Sequence, residues 1–141
     1  MKIGWILIGD ATVPSSRIAG INVSNKLAQL GHDSRIISMN AEYKFDCAMS
    51  KVEFERYISC EKPDAVIFQK VNSPKVLEFM GLCRTMRIGA IYACQDYYEH
   101  PVFRMANGII VSSPYMKEQL NNLGLENVHY VDDALEAEML V

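Results

Sequence analysis

The sequence predicts a doubly wound α/β domain, in which helices cover both faces of one parallel sheet. Three observations lead to this fold class. Short apolar runs recur along the chain, as expected for strands that are buried on both faces. Helical apolar patterns and short connections separate most of these runs, which implies right-handed crossovers. Half of the 141 residues are hydrophobic, which is enough to build the core of one domain.

Six apolar runs are predicted to be strands, so we expect a single parallel sheet of about six strands. The runs are residues 3–8, 35–39, 65–68, 90–93, 108–111 and 128–131. The first predicted helix follows the first run. Ala19, Val23, Leu27 and Leu30 recur at spacings of four, four and three, which predicts that they form its buried face. Gly31 is expected to end this helix.

The later helices carry clear start signals. Ser50 and Glu53 predict a capping box at the start of a helix that Pro63 ends. Ser73 and Ser113 each precede a proline, so each serine is expected to be the N-cap of a further helix. Residues 95–107 leave room for only one short helix, around residues 103–106. The expected buried residues of the three longer helices are Phe54, Tyr57, Ile58, Val76, Phe79, Met80, Cys83, Met116, Leu120 and Leu123.

Composition and charge exclude several classes of protein. The net charge is −3 and no Lys/Arg cluster occurs, so a nucleic-acid partner is not indicated. The longest apolar stretch, residues 3–8, is too short to span a membrane and is followed by no signal-peptide cleavage site. The four cysteines form no C-x-x-C motif, which favours a reducing cytoplasm. No dinucleotide or P-loop motif is present, so no cofactor is predicted.

Three loops follow the carboxyl ends of predicted strands, where open α/β sheets bind ligands. The first, residues 9–17, carries Ser15, Ser16 and Arg17 beside a helix N-terminus, a combination that suits an anion. The alternative is that Ser15 or Ser16 only caps the helix and that Arg17 is solvated. In the third loop Ser113 is explained as a cap, and Ser112 is free to face the crevice.

The second loop, residues 95–101, concentrates polar side chains. Asp96 and His100 suit a general base and an orienting group. The alternative is that the tyrosines of this loop pack on the sheet edge while Asp96 and His100 satisfy the loop backbone. Cys94, Asp96 and His100 match no established metal-ligand spacing, so no metal site is predicted. No G-x-S-x-G motif occurs, so a hydrolase of that type is not indicated either.

Four stretches of the chain carry a resemblance to a known family. They read PSSRI followed by NKLAQLGHD (residues 14–18 and 25–33), KPDAVI (62–67), ACQD (93–96) and ANGIIVSSPYM (106–116). In this order and spacing the chain resembles the N-terminal Rossmann-like domain of GT-B glycosyltransferases, particularly the retaining group. The resemblance covers residues 1–133, and residues 134–141 would be a tail that begins an interdomain linker or a short helix.

The resemblance implies a function for the crevice. In that family the N-terminal domain holds the sugar acceptor and the C-terminal domain holds the nucleotide-sugar donor. It implies acceptor binding or catalysis by a set of loop residues: Asp96 and His100 as catalytic groups, and Ser15, Ser16, Arg17, Ser112 and Ser113 as acceptor-binding groups. The donor domain is absent, so we expect this chain alone to be inactive unless a separate donor-domain chain completes it.

The chain also departs from the family pattern. Val13 and Pro14 replace the glycine pair often found in the first loop, and only Asp96 remains of the acidic pair. An alternative is therefore a free-standing binding or interaction module that has lost the transferase chemistry. In the tail, Leu135, Met139 and Leu140 lie near helical spacing, so this segment is expected either to cover its own domain or to pair with a second copy. Of these two, we expect self-association.

Overall fold

Six parallel strands form a single sheet in the computed structural model, which describes residues 1–96 and 98–132. The predicted tail at 134–141 and Tyr97 lie outside the described residues. All six predicted strands are confirmed, with ends shifted by at most two residues. They are β1 (Lys2–Leu7), β2 (Asp33–Met39), β3 (Ala65–Gln69), β4 (Gly89–Cys94), β5 (Gly108–Val111) and β6 (Val128–Tyr130).

The order of strands across the sheet is β2-β1-β3-β4-β5-β6. This is the flavodoxin-like order of a doubly wound sheet with one additional strand, whereas the dinucleotide-binding order is 3-2-1-4-5-6. The connection that leaves β1 runs toward β2, and the connection that leaves β3 runs the opposite way. The carboxyl ends of β1 and β3 therefore flank the switch point at which such sheets form a binding crevice.

The helices lie between the strands as predicted. After β1 the chain forms α1 (Pro14–Ser16), a π-helical turn (Arg17–Ile21) and α2 (Asn22–Gln29), which together make one continuous helix at residues 14–29, called here the first helix. The remaining helices are α3 (Lys51–Glu61), α4 (Pro74–Thr85), α5 (Val102–Met105) and α6 (Pro114–Asn122). The Rossmann-like α/β architecture is thereby confirmed.

The predicted helix starts are confirmed for α3, α4 and α6. Ser50 and Glu53 form the complete capping box. Ser73 accepts a hydrogen bond from the backbone of Val76, and Ser113 accepts one from the backbone of Met116. These signals act over three residues of chain, so the sequence alone determines them.

The predicted buried face of the first helix is only partly confirmed: Leu27 packs on the sheet, but Val23 and Leu30 do not. Val23 is 38% exposed and Leu30 is 65% exposed. The buried residues are instead Ser16, Gly20 and Ser24, spaced four apart. The π-helical turn holds an extra residue, which changes the set of residues that face the sheet. The small side chains of this set allow the helix to lie close to the sheet. A Cβ on Gly20 would lie only 2.6 Å from the Cδ2 atom of Leu7.

The start of the first helix also differs from the capping interpretation. Val13 is the N-cap residue and provides no side-chain cap, so neither Ser15 nor Ser16 caps this helix. Pro14, at the first helical position, has no backbone N–H group, so this position needs no capping partner. The Ser16 hydroxyl instead accepts a hydrogen bond from the backbone N–H of Gly9 at 3.1 Å.

The two faces of the sheet are covered unequally. α3, α4, α5 and α6 supply buried residues to the larger core, where Phe54, Phe79 and Tyr92 are fully buried. The opposite face carries a small cluster: Ile3, Trp5, Leu7, Ile67 and Ala93. In the described parts of the chain, only the first helix packs on that face, through Ile21 and Leu27. We call this second face the open face.

A membrane-crossing segment would need a long apolar helix. Across residues 1–96 and 98–132, none of the helices has the length and apolar character to cross a bilayer.

Candidate functional site

A cluster of polar and aromatic side chains lies at the carboxyl edge of the sheet, beside the switch point. Lys70 follows β3, Asp96 follows β4, and Tyr43 belongs to the loop after β2. Gln69 ends β3 and reaches Gln95, which lies next to Asp96. We call these five residues the carboxyl-edge cluster.

Lys70 is the central residue of the carboxyl-edge cluster. Its side chain is only 8% exposed, and its Nζ atom lies 2.8 Å from an Asp96 carboxylate oxygen. The same Nζ atom lies 5.5 Å from the centre of the Tyr43 ring. Burial opposes the charged form, but hydrogen bonds with Asp96 and Tyr43 outweigh it and raise the pKa of Lys70. The site therefore holds a fixed ammonium group at neutral pH.

The backbone of Lys70 is strained. Its φ is +63°, in the left-handed region, which costs a residue with a side chain roughly 1–2 kcal/mol. Its N–H donates to the carbonyl of Ala93 at 2.9 Å, which holds it in place. Lys62 and Arg87 also have positive φ, but both are exposed residues that follow helices. A buried, charged residue in this conformation is typical of a functional site.

Gln69 joins the strands that meet at the switch point. Its side chain is fully buried. Its Oε1 atom accepts a hydrogen bond from the backbone N–H of Ile8 at 3.3 Å, and its Nε2 atom donates to Gln95 at 3.4 Å. The chain after β1, the end of β3 and the loop after β4 are thus linked by one side chain, which supports the base of the crevice.

Asp96 and His100, the predicted catalytic pair, have separate partners. Asp96 is 66% exposed at its side chain and pairs with Lys70. The Nδ1 atom of His100 accepts a hydrogen bond from the backbone N–H of Val102 at 3.2 Å, at the start of α5. Burial lowers the pKa of His100, so its ring is neutral at pH 7 and carries its proton on Nε2. In that state His100 has no free lone pair with which to act as a base.

Of the three predicted acceptor-binding residues of the first loop, only Ser16 is buried, while Ser15 and Arg17 are partly exposed. Ser16 is fully buried and bonded to Gly9. Arg17 donates to the backbone carbonyl of Ala11 at 3.0 Å, and Ser15 is half-buried. At the end of β5, Ser113 caps α6 and Ser112 is half-buried. Of the predicted set, Asp96 is the residue that joins the carboxyl-edge cluster.

The loop of residues 40–49 forms one wall beside the cluster. Asn40 is buried, and its Nδ2 atom lies 3.2, 2.8 and 2.7 Å from the carbonyl oxygens of Ile8, Lys44 and Asp46. The rings of Tyr43 and Phe45 are 47% and 45% exposed and meet edge to face at 5.4 Å. A cavity of about 480 Å³ opens between the residues of this loop. Asn40 thus positions an aromatic surface at the crevice.

Ser73 connects this loop to α4, which leads to a prediction. The Ser73 hydroxyl donates to Asp46, and this hydrogen bond is the main cause of the lowered pKa of Asp46. Asp46 therefore contributes stability above about pH 4, its unfolded pKa, and this contribution is lost as the pH falls through the lower folded pKa. Ser73→Ala is expected to reduce the free energy of unfolding by about 0.5–2 kcal/mol through the lost cap, and by less at pH 3. Urea unfolding at pH 7 and pH 3 measures both effects.

Ser113→Ala is the matched control, since Ser113 caps α6 in the same way. It is expected to lose a similar amount of stability at both pH values. Equal pH dependence in the two variants would contradict the role of Ser73 in holding Asp46.

Sequence reasoning did not identify Tyr43, Gln69 or Lys70 as site residues. A usable signal was present, because Gln69 and Lys70 place two polar side chains directly after the apolar run of β3. Tyr43 carries no such signal, since its approach to Lys70 depends on the fold of residues 40–49.

Among residues 1–96 and 98–132, no three His, Cys, Asp or Glu side chains are grouped so that they could hold a metal ion. Burial raises the pKa of Cys94 to about 12, so its thiol stays protonated at neutral pH. Compared with protein-family models, curated proteins and solved structures, the chain gives no match.

Proposed function

We propose that the chain is the acceptor-binding half of a glycosyltransferase of the GT-B type, and that its carboxyl-edge cluster binds a neutral sugar. The observation that carries this proposal is the strained, buried Lys70 paired with an exposed Asp96 beside the switch point. The resemblance of residues 1–133 to the acceptor domain of that family supports the choice of ligand.

The charge of the cluster favours a neutral ligand. The positive charge of Lys70 and the negative charge of Asp96 cancel each other, so the pair has no net attraction for a phosphate or a nucleotide. Together they offer both a hydrogen-bond donor and an acceptor, which suits sugar hydroxyls because each hydroxyl can donate and accept. Lys70 donates, and the exposed side of the Asp96 carboxylate accepts.

The aromatic rings beside the cluster favour a sugar further. Tyr43 and Phe45 are about half exposed and lie in the loop that Asn40 holds in place. The face of an aromatic ring is electron-rich, and the C–H bonds on one face of a sugar carry a partial positive charge. A sugar ring can therefore rest on Tyr43 while its hydroxyls reach Lys70 and Asp96.

The roles follow from these contacts. Asp96 is the candidate to accept a proton from an acceptor hydroxyl, since it is exposed and lies at the crevice. Lys70 is a positioning residue, because its ammonium group lies 2.8 Å from the Asp96 carboxylate and orients it. His100 acts at most as a hydrogen-bond donor through Nε2 while its Nδ1 atom is bonded to Val102. Transfer would still need a donor domain from another chain or segment.

Lys70→Gly tests this proposal. Glycine accepts the positive φ without strain, so the variant is expected to stay within about 1 kcal/mol of the original stability. The amide NMR signals of residues 70, 72 and 96 report the binding of maltose, sucrose or trehalose in titrations. In Lys70→Gly this binding is expected to weaken about tenfold or more. UDP-glucose and inorganic phosphate serve as anionic probes and are expected not to bind at these residues.

Lys62→Gly is the matched control, since Lys62 also has positive φ but is exposed at the end of α3. This variant is expected to bind the sugars as the original chain does. If none of the sugars shifts these amide signals, or if the anionic probes shift them as strongly, the proposal is wrong.

The second candidate is a free-standing interaction module of the same fold, and the open face of the sheet favours it. Ile91 and Ile110 lie there only partly buried. The intact mass of the native protein in its source cells separates the candidates. The acceptor-half proposal predicts a larger polypeptide or a stable complex with a donor-domain chain, whereas the module predicts a species near 15.9 kDa without such a partner.

A further inference from the structure

We propose that the outer edge of β2 is an interface at which two copies of this chain join their sheets, with β2 of one copy antiparallel to β2 of the other. The charge complementarity between Asp33 of one copy and Arg35 of the other carries this proposal. The edge lies at the opposite end of the sheet from β6, and the proposal does not depend on the proposed sugar site.

The outer edge of β2 offers main-chain groups to a further strand. β2 pairs with β1, and no strand among the described residues pairs with its other side. The N–H group of Asp33 donates to the carbonyl of Met1, so the main chain of Asp33 points to β1. Main-chain groups alternate in direction along a strand, so those of Arg35 also point to β1, whereas those of Ser34 and Ile36 point outward. An edge of this kind can accept another strand.

An irregularity in β2 limits the part of the edge that can pair. The register between β1 and β2 shifts after Trp5, because Trp5 pairs with Ile36 whereas Ile6 pairs with Ser38. β2 therefore has a bulge at Ile37, and a bulge locally disrupts strand pairing. The regular outer edge that a second copy can join lies before Ile37.

The charges on this part of the edge select one register. Asp33 and Arg35 form an ion pair at 2.7 Å, and their side chains are 41% and 61% exposed. Two copies that join through the same edge are related by a two-fold axis, so their strands run antiparallel and the register is centred on one residue. A centre at Asp33 or at Arg35 places like charges opposite each other. A centre at Ser34 places Asp33 of each copy opposite Arg35 of the other.

This register also satisfies the outward main-chain groups. The two Ser34 residues form a hydrogen-bonded pair on the axis, and the N–H group of Ile36 reaches the carbonyl of His32 of the other copy. Asp33 and Arg35 lie between these positions as a non-hydrogen-bonded pair, with Cα atoms about 4.5 Å apart. Opposite charges at directly facing positions stabilise an antiparallel pair. Main-chain bonds and cross-copy ion pairs therefore act together at this edge.

The first helix of each copy enlarges the contact. Its residue Ser24 lies over β2, with the Ser24 hydroxyl 2.9 Å from the Ser34 hydroxyl. Neighbouring strands are about 4.8 Å apart, so a helix that lies over β1 and β2 is about 10 Å from its counterpart across the joined edge. Packed helices are about 8–10 Å apart, so the two helices come into contact. The interface is small, and we expect a dissociation constant on the order of 100 µM.

Analytical ultracentrifugation of the full chain, at concentrations from tenfold below to tenfold above this value, tests the proposal. The original chain is expected to form dimers. Asp33→Arg and Arg35→Asp each place like charges opposite each other, so each variant alone is expected to self-associate at least tenfold more weakly. An equimolar mixture of the two variants is expected to dimerise as the original chain does, because the basic edge of one variant faces the acidic edge of the other.

Further variants control for indirect effects. The double variant Asp33→Arg/Arg35→Asp exchanges the charges but keeps them complementary, and it is expected to dimerise like the original chain. Glu42→Lys reverses a charge that is 80% exposed away from this edge and is expected to change nothing. Far-ultraviolet circular dichroism checks that each variant is folded. A monomeric original chain, single variants that keep the dimer, or a mixture that associates no better than the single variants would overturn the proposal.

Discussion

Replacing Phe54 by alanine is expected to destabilise the protein by about 3–5 kcal/mol. Phe54 is fully buried, and its ring stacks on Phe79 with centroids 4.2 Å apart and planes 6° from parallel. It also lies 6.3 Å from the ring of Phe68. The side chain thus joins α3, α4 and β3. Alanine would leave a cavity where these elements meet, and rigid neighbours on all sides limit how far the cavity can close.

The free energy of unfolding from urea denaturation measures this loss. Val52→Ala is the matched control, because Val52 lies on the same helix and is 63% exposed. This control is expected to change the stability by less than about 0.5 kcal/mol. A loss below about 2 kcal/mol for Phe54→Ala would show that the core rearranges to fill the space.

Asn40→Asp is expected to produce the second-largest effect, a loss of about 3 kcal/mol or more at pH 7. The Nδ2 atom of Asn40 faces the carbonyl oxygens of Ile8, Lys44 and Asp46. An ionised carboxylate has the same shape but can only accept hydrogen bonds, so it would be repelled by all three. The loop of residues 40–49 would lose its anchor, and with it the position of Tyr43 beside Lys70.

The effect of Asn40→Asp is expected to depend on pH. Burial against carbonyl oxygens raises the folded-state pKa of the new carboxyl group above its unfolded value of about 3.9. The folded state then binds more protons than the unfolded state, so stability falls as the pH rises from about 4 toward the raised pKa. Urea unfolding at pH 4 and pH 7 measures the difference. Asn25→Asp, at an exposed position of α2, is expected to show little of it.

If Asn40→Asp lost no more stability at pH 7 than Asn25→Asp, the loop would not depend on this amide. If Asn40→Asp kept its fold but weakened the binding of maltose, the wall formed by residues 40–49 would be part of the sugar site. Both variants can be assayed in the same titrations as Lys70→Gly.

Local signals in the sequence predicted most of the architecture. The central strands β1 and β3 are continuous apolar runs because both of their faces are buried, and this pattern needs no knowledge of distant residues. The caps at Ser50, Ser73 and Ser113 are correct for the same reason, since each bonds to a backbone group three residues later. The short α5 was found by the length of chain left between β4 and β5.

The first helix shows where the local pattern was insufficient. Val23 and Leu30 follow the spacing of a buried face, yet both are exposed. The π-helical turn at residues 17–21 changed which residues of the helix face the sheet. Gly20 lies so close to Leu7 that only small residues fit on that face. Neither the turn nor the approach distance can be read from hydrophobic spacing.

The sequence by itself determined the fold class, the strands and the caps of α3, α4 and α6, because these depend on neighbours in the chain. It also predicted the carboxyl edge as the candidate site, from the general rule for parallel sheets. Only the tertiary structure decided which side chains meet there. Lys70 and Asp96 are brought together because β3 and β4 are adjacent, and Tyr43 joins them because Asn40 holds its loop. Contacts between residues distant in sequence depend on strand order and loop packing, which local patterns do not encode.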